Sequence, residues 1–335
     1  MQLAYRGEPS KRTAARRWPV SRDRNPSAEP IRIALVINMP DAAQEDTENQ
    51  FLGLLTSATA TPLDVEFYSL PEIRREERAR EHMRGLYSNF GDLFSGRFDG
   101  LIITGTEPRQ SDLRREAYWD SLVALFDWAE KHTRSAILSC LAAHANVLHK
   151  SGIERRPLQE KRLGVFEETK VSDHALLAHA PGVMRIPHSR WNELREEDLV
   201  SAGYTVLTRS AKAGVGLFAR QEGASLVIHS QGHPEYGTDT LLKEYRRDIK
   251  RFLRNEREDY PSAPQEYFAS PALKLLSGFE EKAAARRDEG TLAFFPDQQI
   301  VETLRNGWHT AGTAIYRNWL QYLASSKSGF AEKMR

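Results

Sequence analysis

Cys140 and the segment Gln231-Gly-His-Pro-Glu-Tyr236 carry the residue types of nucleophilic catalysis: a thiol, an imidazole and a carboxylate. Cys140 is the only cysteine among 335 residues. It ends the apolar run Ser135-Ala-Ile-Leu-Ser-Cys140 and opens the helix-prone segment Leu141-Ala-Ala-His-Ala-Asn-Val-Leu-His149. A thiol at a strand-to-helix junction lies beside backbone N–H groups and the positive end of a helix dipole, and both favour the nucleophilic thiolate. Without that position, a lone cysteine is more often a small buried apolar side chain. A nucleophilic cysteine needs a base. Of ten histidines, His82 and His132 lie in charged helical segments, and His174 and His179 in a polar loop. His233 differs, because it follows the apolar strand Ser225-Leu-Val-Ile-His-Ser230. Gly232 lets the chain turn sharply there and Pro234 stiffens the bend. Glu235, two residues on, reaches back to the imidazole and fixes its tautomer, as the third member of a triad does. Alone, His-Pro-Glu is equally a surface turn beside a solvated carboxylate.

The elements that must position these groups alternate between strand and helix. Ile31-Arg-Ile-Ala-Leu-Val-Ile37 reads as a buried strand, residues 47–57 as a helix, and Leu63-Asp-Val-Glu-Phe-Tyr-Ser-Leu70 as a second strand. A charged helical stretch (73–86), the strand Gly100-Leu-Ile-Ile-Thr104, an amphipathic helix (117–131) and a strand at 136–139 follow. This order implies right-handed crossovers and a parallel sheet covered on both faces. Sites in such sheets lie outside the carboxyl ends of the strands. Asn38-Met-Pro40, Thr104-Gly-Thr-Glu107 and Ser139-Cys140 therefore share one rim. After residue 163 the chain turns strand-rich, with strands at 163–166, 182–188, 204–207, 215–219 and 225–230. A charged helix is expected at 238–254, a surface linker at 255–270, and helices at 272–286, 297–305 and 311–324. Ordered structure is expected to begin at Ile31, with 1–30 a mobile basic arm, 31–325 a single domain and 326–335 a tail.

Bulk properties narrow the classes. A net charge of +1 gives no global field for nucleic acid. No apolar stretch reaches membrane-spanning length and no signal-peptide pattern opens the chain, so a cytoplasmic protein is expected. One cysteine excludes an intrachain disulfide and a paired-cysteine zinc site.

Strand–Cys–helix followed about ninety residues later by His-x-Glu resembles the class I glutamine amidotransferase-like domains, which implies a flavodoxin-like α/β fold with strand-rich and C-terminal helical additions. Within that group the chain resembles the homoserine O-succinyltransferase or O-acetyltransferase family. The motifs are Ile37-Asn-Met-Pro40, Thr47-Glu-Asn-Gln-Phe51, Phe98-Asp-Gly-Leu-Ile-Ile-Thr-Gly105, Ala117-Tyr-Trp119, Pro187-His-Ser-Arg190, Gly232-His-Pro-Glu-Tyr236, Glu244-Tyr-Arg-Arg-Asp248 and Asn318-Trp-Leu-Gln-Tyr322. The resemblance spans roughly residues 31–324. It implies acyl transfer from succinyl-CoA or acetyl-CoA to the hydroxyl of L-homoserine, in methionine biosynthesis, through a thioester on Cys140. His233 would be the base and Glu235 its orienting partner. The Leu141 N–H and an amide of the Gly105-Thr106 turn would form the oxyanion hole. Arg247, Lys161 and Ser189 match substrate-binding positions. No metal or dissociable cofactor is implied, and a homodimer is. Trp308, Tyr316, Trp319 and Tyr322 either serve that interface or close the core of the chain.

Two departures stand out. Asp112 occupies the donor-selecting position, where the family has glutamate in succinyl users and glycine in acetyl users. His144, one helical turn beyond Cys140, either enters the pocket or packs under the sheet. Two alternatives stay open: transfer to serine or another hydroxy amino acid, and glutamine hydrolysis on the same fold, although Ser139-Cys-Leu-Ala-Ala lacks the glycines of the usual amidotransferase elbow. A third reading is a binding module with a vestigial site.

Overall fold

The computed structural model describes residues 29–325 and the short strand β1 (Arg16–Trp18). The first half alternates as the periodicity requires. β2 (Ile31–Val36) leads through α1 (Asp41–Ala58) to β3 (Leu63–Tyr68), and then past the short helices α2 (Glu77–Met83) and α3 (Phe90–Leu93) to β4 (Gly100–Ile103). α4 (Trp119–His132), β5 (Ser135–Ser139) and α5 (Leu141–Ser151) follow. α1 starts six residues before the expected helix. Pro40 precedes it, and Asp41 in its first turn is held by Arg75 at 3.1 Å, an acid placed where the helix dipole favours it.

The second half carries β6 (Arg156–Lys170), β7 (Val183–Glu193), α6 (Glu196–Ser201), β8 (Thr205–Val206), β9 (Thr208–Ser210), β10 (Gly214–Val215), β11 (Leu217–Glu222) and β12 (Ser225–Ser230). Four helices end it: α7 (Thr240–Leu253), α8 (Ser270–Ala285), α9 (Asp297–Val301) and α10 (His309–Ala324).

Two sheets result. The larger runs β1-β3-β2-β4-β5-β12-β11-β8, and its five central strands, β3-β2-β4-β5-β12, are all parallel. In order of the chain those five read 2-1-3-4-5, the flavodoxin-like order, with the switch point between β2 and β4. The expected α/β class is therefore realised. The smaller sheet, β10-β9-β6-β7, is wholly antiparallel. One apolar cluster joins the two halves: Ile33, Leu35 and Ile137 of the large sheet pack with Met184 and Ile186 of β7 and with Trp319 of α10.

Two expectations need correction, and one open choice is settled. β1 pairs antiparallel with the edge strand β3, so structure precedes Ile31; the rest of the basic arm, like the tail after residue 325, lies outside the described residues. The 255–270 segment is not a loose surface linker: Gln265 exchanges backbone hydrogen bonds with Leu163 and Val165 at 2.9 Å. It crosses at Gly164, where a Cβ would stand 2.4 Å from the Gln265 carbonyl oxygen. Of the two roles open to Trp308, Tyr316, Trp319 and Tyr322, the structure takes the second: all four are buried within the chain and close its core. No helix of the described residues is long and apolar enough to cross a membrane.

Candidate active site

Cys140 sits at the tip of β5 with φ 52° and ψ −111°, a strained conformation for a residue with a side chain. Its N–H donates to Ser230 O of β12 at 2.7 Å, and its own carbonyl accepts from His144 N at 3.2 Å as α5 begins. β5 and β12 are neighbouring parallel strands, so the turn after β12 arrives beside the thiol.

That turn is fixed from three sides. His233 N donates to Pro187 O of β7 at 2.7 Å. Gly232 packs on β7 so closely that a Cβ would lie 2.6 Å from Ile186 and 2.9 Å from His188. From behind, Trp308 Nε1 donates to Tyr236 O at 2.7 Å, and α10 approaches at Gly312, where a Cβ would meet Pro234 O at 2.8 Å. The Tyr236 ring stacks on the imidazole at 4.2 Å between centroids.

Within this frame His233 Nδ1 donates to Glu235 Oε1 at 2.8 Å, and Ser139 Oγ donates to the same oxygen at 3.2 Å. With Nδ1 committed, Nε2 is the ring nitrogen left for the Cys140 sulfur, which borders the same cavity and interacts with the imidazole. Burial pulls the imidazole pKa down, but the Glu235 carboxylate and the Cys140 sulfur outweigh it and hold the pKa above its ordinary value. The sequence-based triad is thus assembled, with both His233 and Glu235 buried.

The triad opens into a cavity of about 470 Å³. Its floor is the predicted rim: Met39 and Pro40 after β2, Thr104 to Glu107 after β4, and Cys140 after β5. Gly105 lies against the first amide of α5, its built Cβ only 3.1 Å from Leu141 N. The Leu141 N–H precedes the hydrogen bonds of its own helix, and Thr106 borders the same space. This is the arrangement an oxyanion hole requires.

The opposite wall comes from the small sheet and α7. Lys161 sits where the β6–β7 register slips, which turns its side chain inward. Its Nζ lies 2.9 Å from Asp248 Oδ2 and 3.6 Å from Glu244 Oε2. Ser189 Oγ donates to Glu244 Oε2, and Tyr236 Oη donates to Glu244 Oε1 at 2.7 Å. Arg247 lies 3.5 Å from Glu107 and 3.7 Å from Asp248, and its Nε is buried without a hydrogen-bond partner. Lys161, Ser189 and Arg247 therefore line one cavity with Cys140, as expected.

Asp112 does not join them. Its carboxylate accepts from Arg114 N at 3.0 Å and Arg114 Nε at 2.8 Å, which holds its pKa below the usual carboxylate range. Asp112 shapes the loop rather than facing the cavity. His144 meets both of its alternatives: it borders the cavity and is also buried. Gln231 Nε2 donates to Val215 O, so Gln231 Oε1 accepts from His144 Nε2 at 2.8 Å. Burial pulls the His144 pKa down to about 3, which keeps it neutral.

Sequence reasoning missed the stacking role of Tyr236 and the cations Arg155 and Arg190, both of which border the cavity. The Glu244/Asp248 pair was visible in one motif, as two acids one helical turn apart. Arg155 carried no spacing signal, and Arg190 closed the motif Pro187-His-Ser-Arg190 without a role attached to it.

Comparison with known proteins bears on this site. The homoserine O-succinyltransferase family model matches residues 18–330. The chain is 45% identical over 306 residues to the homoserine O-succinyltransferase of Rhodopseudomonas palustris, covering 91% of this chain and 92% of that protein. It is 42% identical to the enzyme of that name from Bradyrhizobium japonicum, covering 91% of this chain and 94% of that protein. Among solved structures it is similar to a glutamine amidotransferase from Thermotoga maritima, with a TM-score of 0.48 at 14% identity over 89% of this chain and 100% of that one. A match of this extent means that the chain belongs to the homoserine O-succinyltransferase family.

Proposed function

We propose that this chain transfers a succinyl group from succinyl-CoA to the hydroxyl of L-homoserine, in methionine biosynthesis, through a thioester on Cys140. The meeting of Cys140 with a His233 that Glu235 orients, in one cavity, carries the reading. The chemistry follows from the protonation this meeting favours. The Cys140 thiolate attacks the thioester carbonyl, and the Leu141 and Thr106 amides receive the oxyanion. The carbon–sulfur bond to CoA breaks, and the departing thiolate takes the proton of the His233 imidazolium. His233 Nε2, now neutral, takes the proton of the homoserine hydroxyl as its oxygen attacks the acyl-enzyme. The bond to Cys140 breaks, and thiolate and imidazolium are restored together.

Arg247 is placed to bind the homoserine carboxylate, since it carries a buried, unpartnered N–H and its nearest carboxylates stand beyond hydrogen-bond distance. Lys161 and Ser189 hold Glu244 and Asp248 in place beside it. A thioester donor and a Cys–His pair suffice for the reaction, which needs no dissociable cofactor. Because its substrates are acyl-CoA and a free amino acid, we assign the protein to the cytoplasm.

Initial-rate kinetics with succinyl-CoA and L-homoserine test this directly. Parallel double-reciprocal lines and O-succinylhomoserine as product are expected. Turnover of L-serine in preference to L-homoserine, or glutaminase activity in place of acyl transfer, would overturn it.

A further inference from the structure

One cation beside the nucleophile, Arg155, has no carboxylate within ion-pair distance among the described residues. α5 begins at Cys140 and ends at Gly152, whose left-handed φ of 67° turns the chain back toward the cavity. Arg155 lies just beyond that turn, borders the same cavity as Cys140, and is electrostatically coupled to the Cys140 sulfur. The acids around it are engaged elsewhere. Glu154 pairs with Arg114 at 2.7 Å, Asp198 with Arg156 at 3.5 Å, and Glu116 accepts the amides of Arg109 and Gln110 at 2.5 and 2.6 Å. Arg155 itself makes only two long hydrogen bonds, from Nη2 to the carbonyls of Gln110 and Ser111, each 3.3 Å. Among the described residues no carboxylate comes within ion-pair distance of it.

A second group nearby is also unsatisfied. Tyr118, of the Ala117-Tyr-Trp119 motif, is 6% exposed, yet its hydroxyl is buried with no hydrogen-bond partner. Arg155 and Tyr118 are coupled to each other. A half-buried guanidinium on the cavity wall, with no carboxylate to pair it among the described residues, is a site for an anion that the protein does not supply, and the orphaned Tyr118 hydroxyl lies near enough to feel its charge. A succinyl group attached at Cys140 carries such an anion at the end of a two-methylene chain, whereas an acetyl group carries none.

We propose that Arg155, with the Tyr118 hydroxyl beside it, binds the distal carboxylate of the acyl group held on Cys140 and thereby selects a dicarboxylic acyl donor. The proposal rests on the acyl-transfer reading above and extends it to the donor. It also gives Asp112 an indirect part: its carboxylate caps the loop whose Gln110 and Ser111 carbonyls hold Arg155 in place.

The test is the rate of acyl-enzyme formation, read by intact mass without acceptor, with succinyl-CoA and acetyl-CoA in parallel. Arg155→Ala should slow succinylation about 10- to 100-fold, the range for losing a charged hydrogen bond, while acetylation changes less than about threefold. Arg155→Lys should restore part of the succinylation rate. Tyr118→Phe should show a smaller loss confined to the succinyl donor. Equal slowing of both donors in Arg155→Ala would mark a structural role and overturn the proposal, as would an unchanged donor ratio. A wild type acetylated but not succinylated would overturn it too, leaving Cys140 acylation standing; a wild type acylated by neither donor would instead remove the reading on which it rests.

Discussion

The two walls of the cavity are built by different means. On the nucleophile side, Cys140 and His233 are held by backbone: a strained φ, hydrogen bonds to Ser230 O and Pro187 O, and close approaches at Gly232 and Gly312. On the facing side, Lys161, Ser189, Glu244, Arg247 and Asp248 hold one another through side-chain contacts that an incoming zwitterion can exchange. The first wall fixes reacting atoms to within a bond length, as covalent catalysis requires. The second provides charge that rearranges around a substrate. Substitutions on the first wall should therefore destroy chemistry, and those on the second should weaken binding of one substrate.

The sharpest break in that comparison is His233→Ala, expected to lower turnover by about 10²–10⁴-fold with the fold intact by circular dichroism, because it removes the base while Cys140 stays in place. A loss below tenfold would mean that another group takes the proton. Next in size is Gly232→Ala, whose Cβ would press on Ile186 and His188. It should cost about 1–3 kcal/mol in urea unfolding and a larger fraction of kcat than of acceptor affinity. On the other wall, Arg247→Ala should raise the homoserine KM about 10- to 100-fold and leave acylation by the donor nearly unchanged. If acylation itself collapsed, the division between the walls would be wrong.

The smallest effect concerns two histidines beside the same cavity. His233 is raised by a carboxylate and a sulfur, whereas His144, facing an amide, is pulled down to about 3 by burial. A buried histidine with a depressed pKa contributes stability that is fully present above its unfolded value of 6.5 and is lost as pH falls toward 3. His144→Gln keeps a donor for Gln231 and removes the titration. Its unfolding free energy should fall less steeply on acidification below 6.5, by up to ~1.4 kcal/mol per pH unit. His188 and His229, also depressed by burial, preserve the rest of the slope. Parallel slopes in variant and wild type would contradict the assignment of a neutral His144.

The contrast between walls also tracks what could be read in the sequence. The parallel strands announce themselves as short apolar runs, and the carboxyl-edge rule places Asn38, Thr104 and Cys140 on one rim without reference to any relative. The triad was legible because its members sit next to strand ends and two of them, His233 and Glu235, lie only two residues apart. The facing wall was legible only through resemblance, since Lys161, Ser189 and Arg247 are ordinary polar residues until β6, β7 and α7 converge. The strand-rich half gave its strands but not their division into a second antiparallel sheet, because that pairing depends on long-range register. Asp112 misled because proximity in the loop does not fix which way a side chain points: an adjacent Arg114 captures it. Arg155 was invisible for a related reason, being one of several basic residues after α5 and distinguished only by having no carboxylate within ion-pair distance among the described residues.

The most direct measurement is intact-mass detection of the protein mixed with succinyl-CoA alone, followed by peptide mapping. One added succinyl group per chain, located on Cys140, absent in Cys140→Ser and discharged by L-homoserine, is the expected result. A wild-type protein that turns over substrate without ever carrying the acyl group on Cys140 would contradict the account.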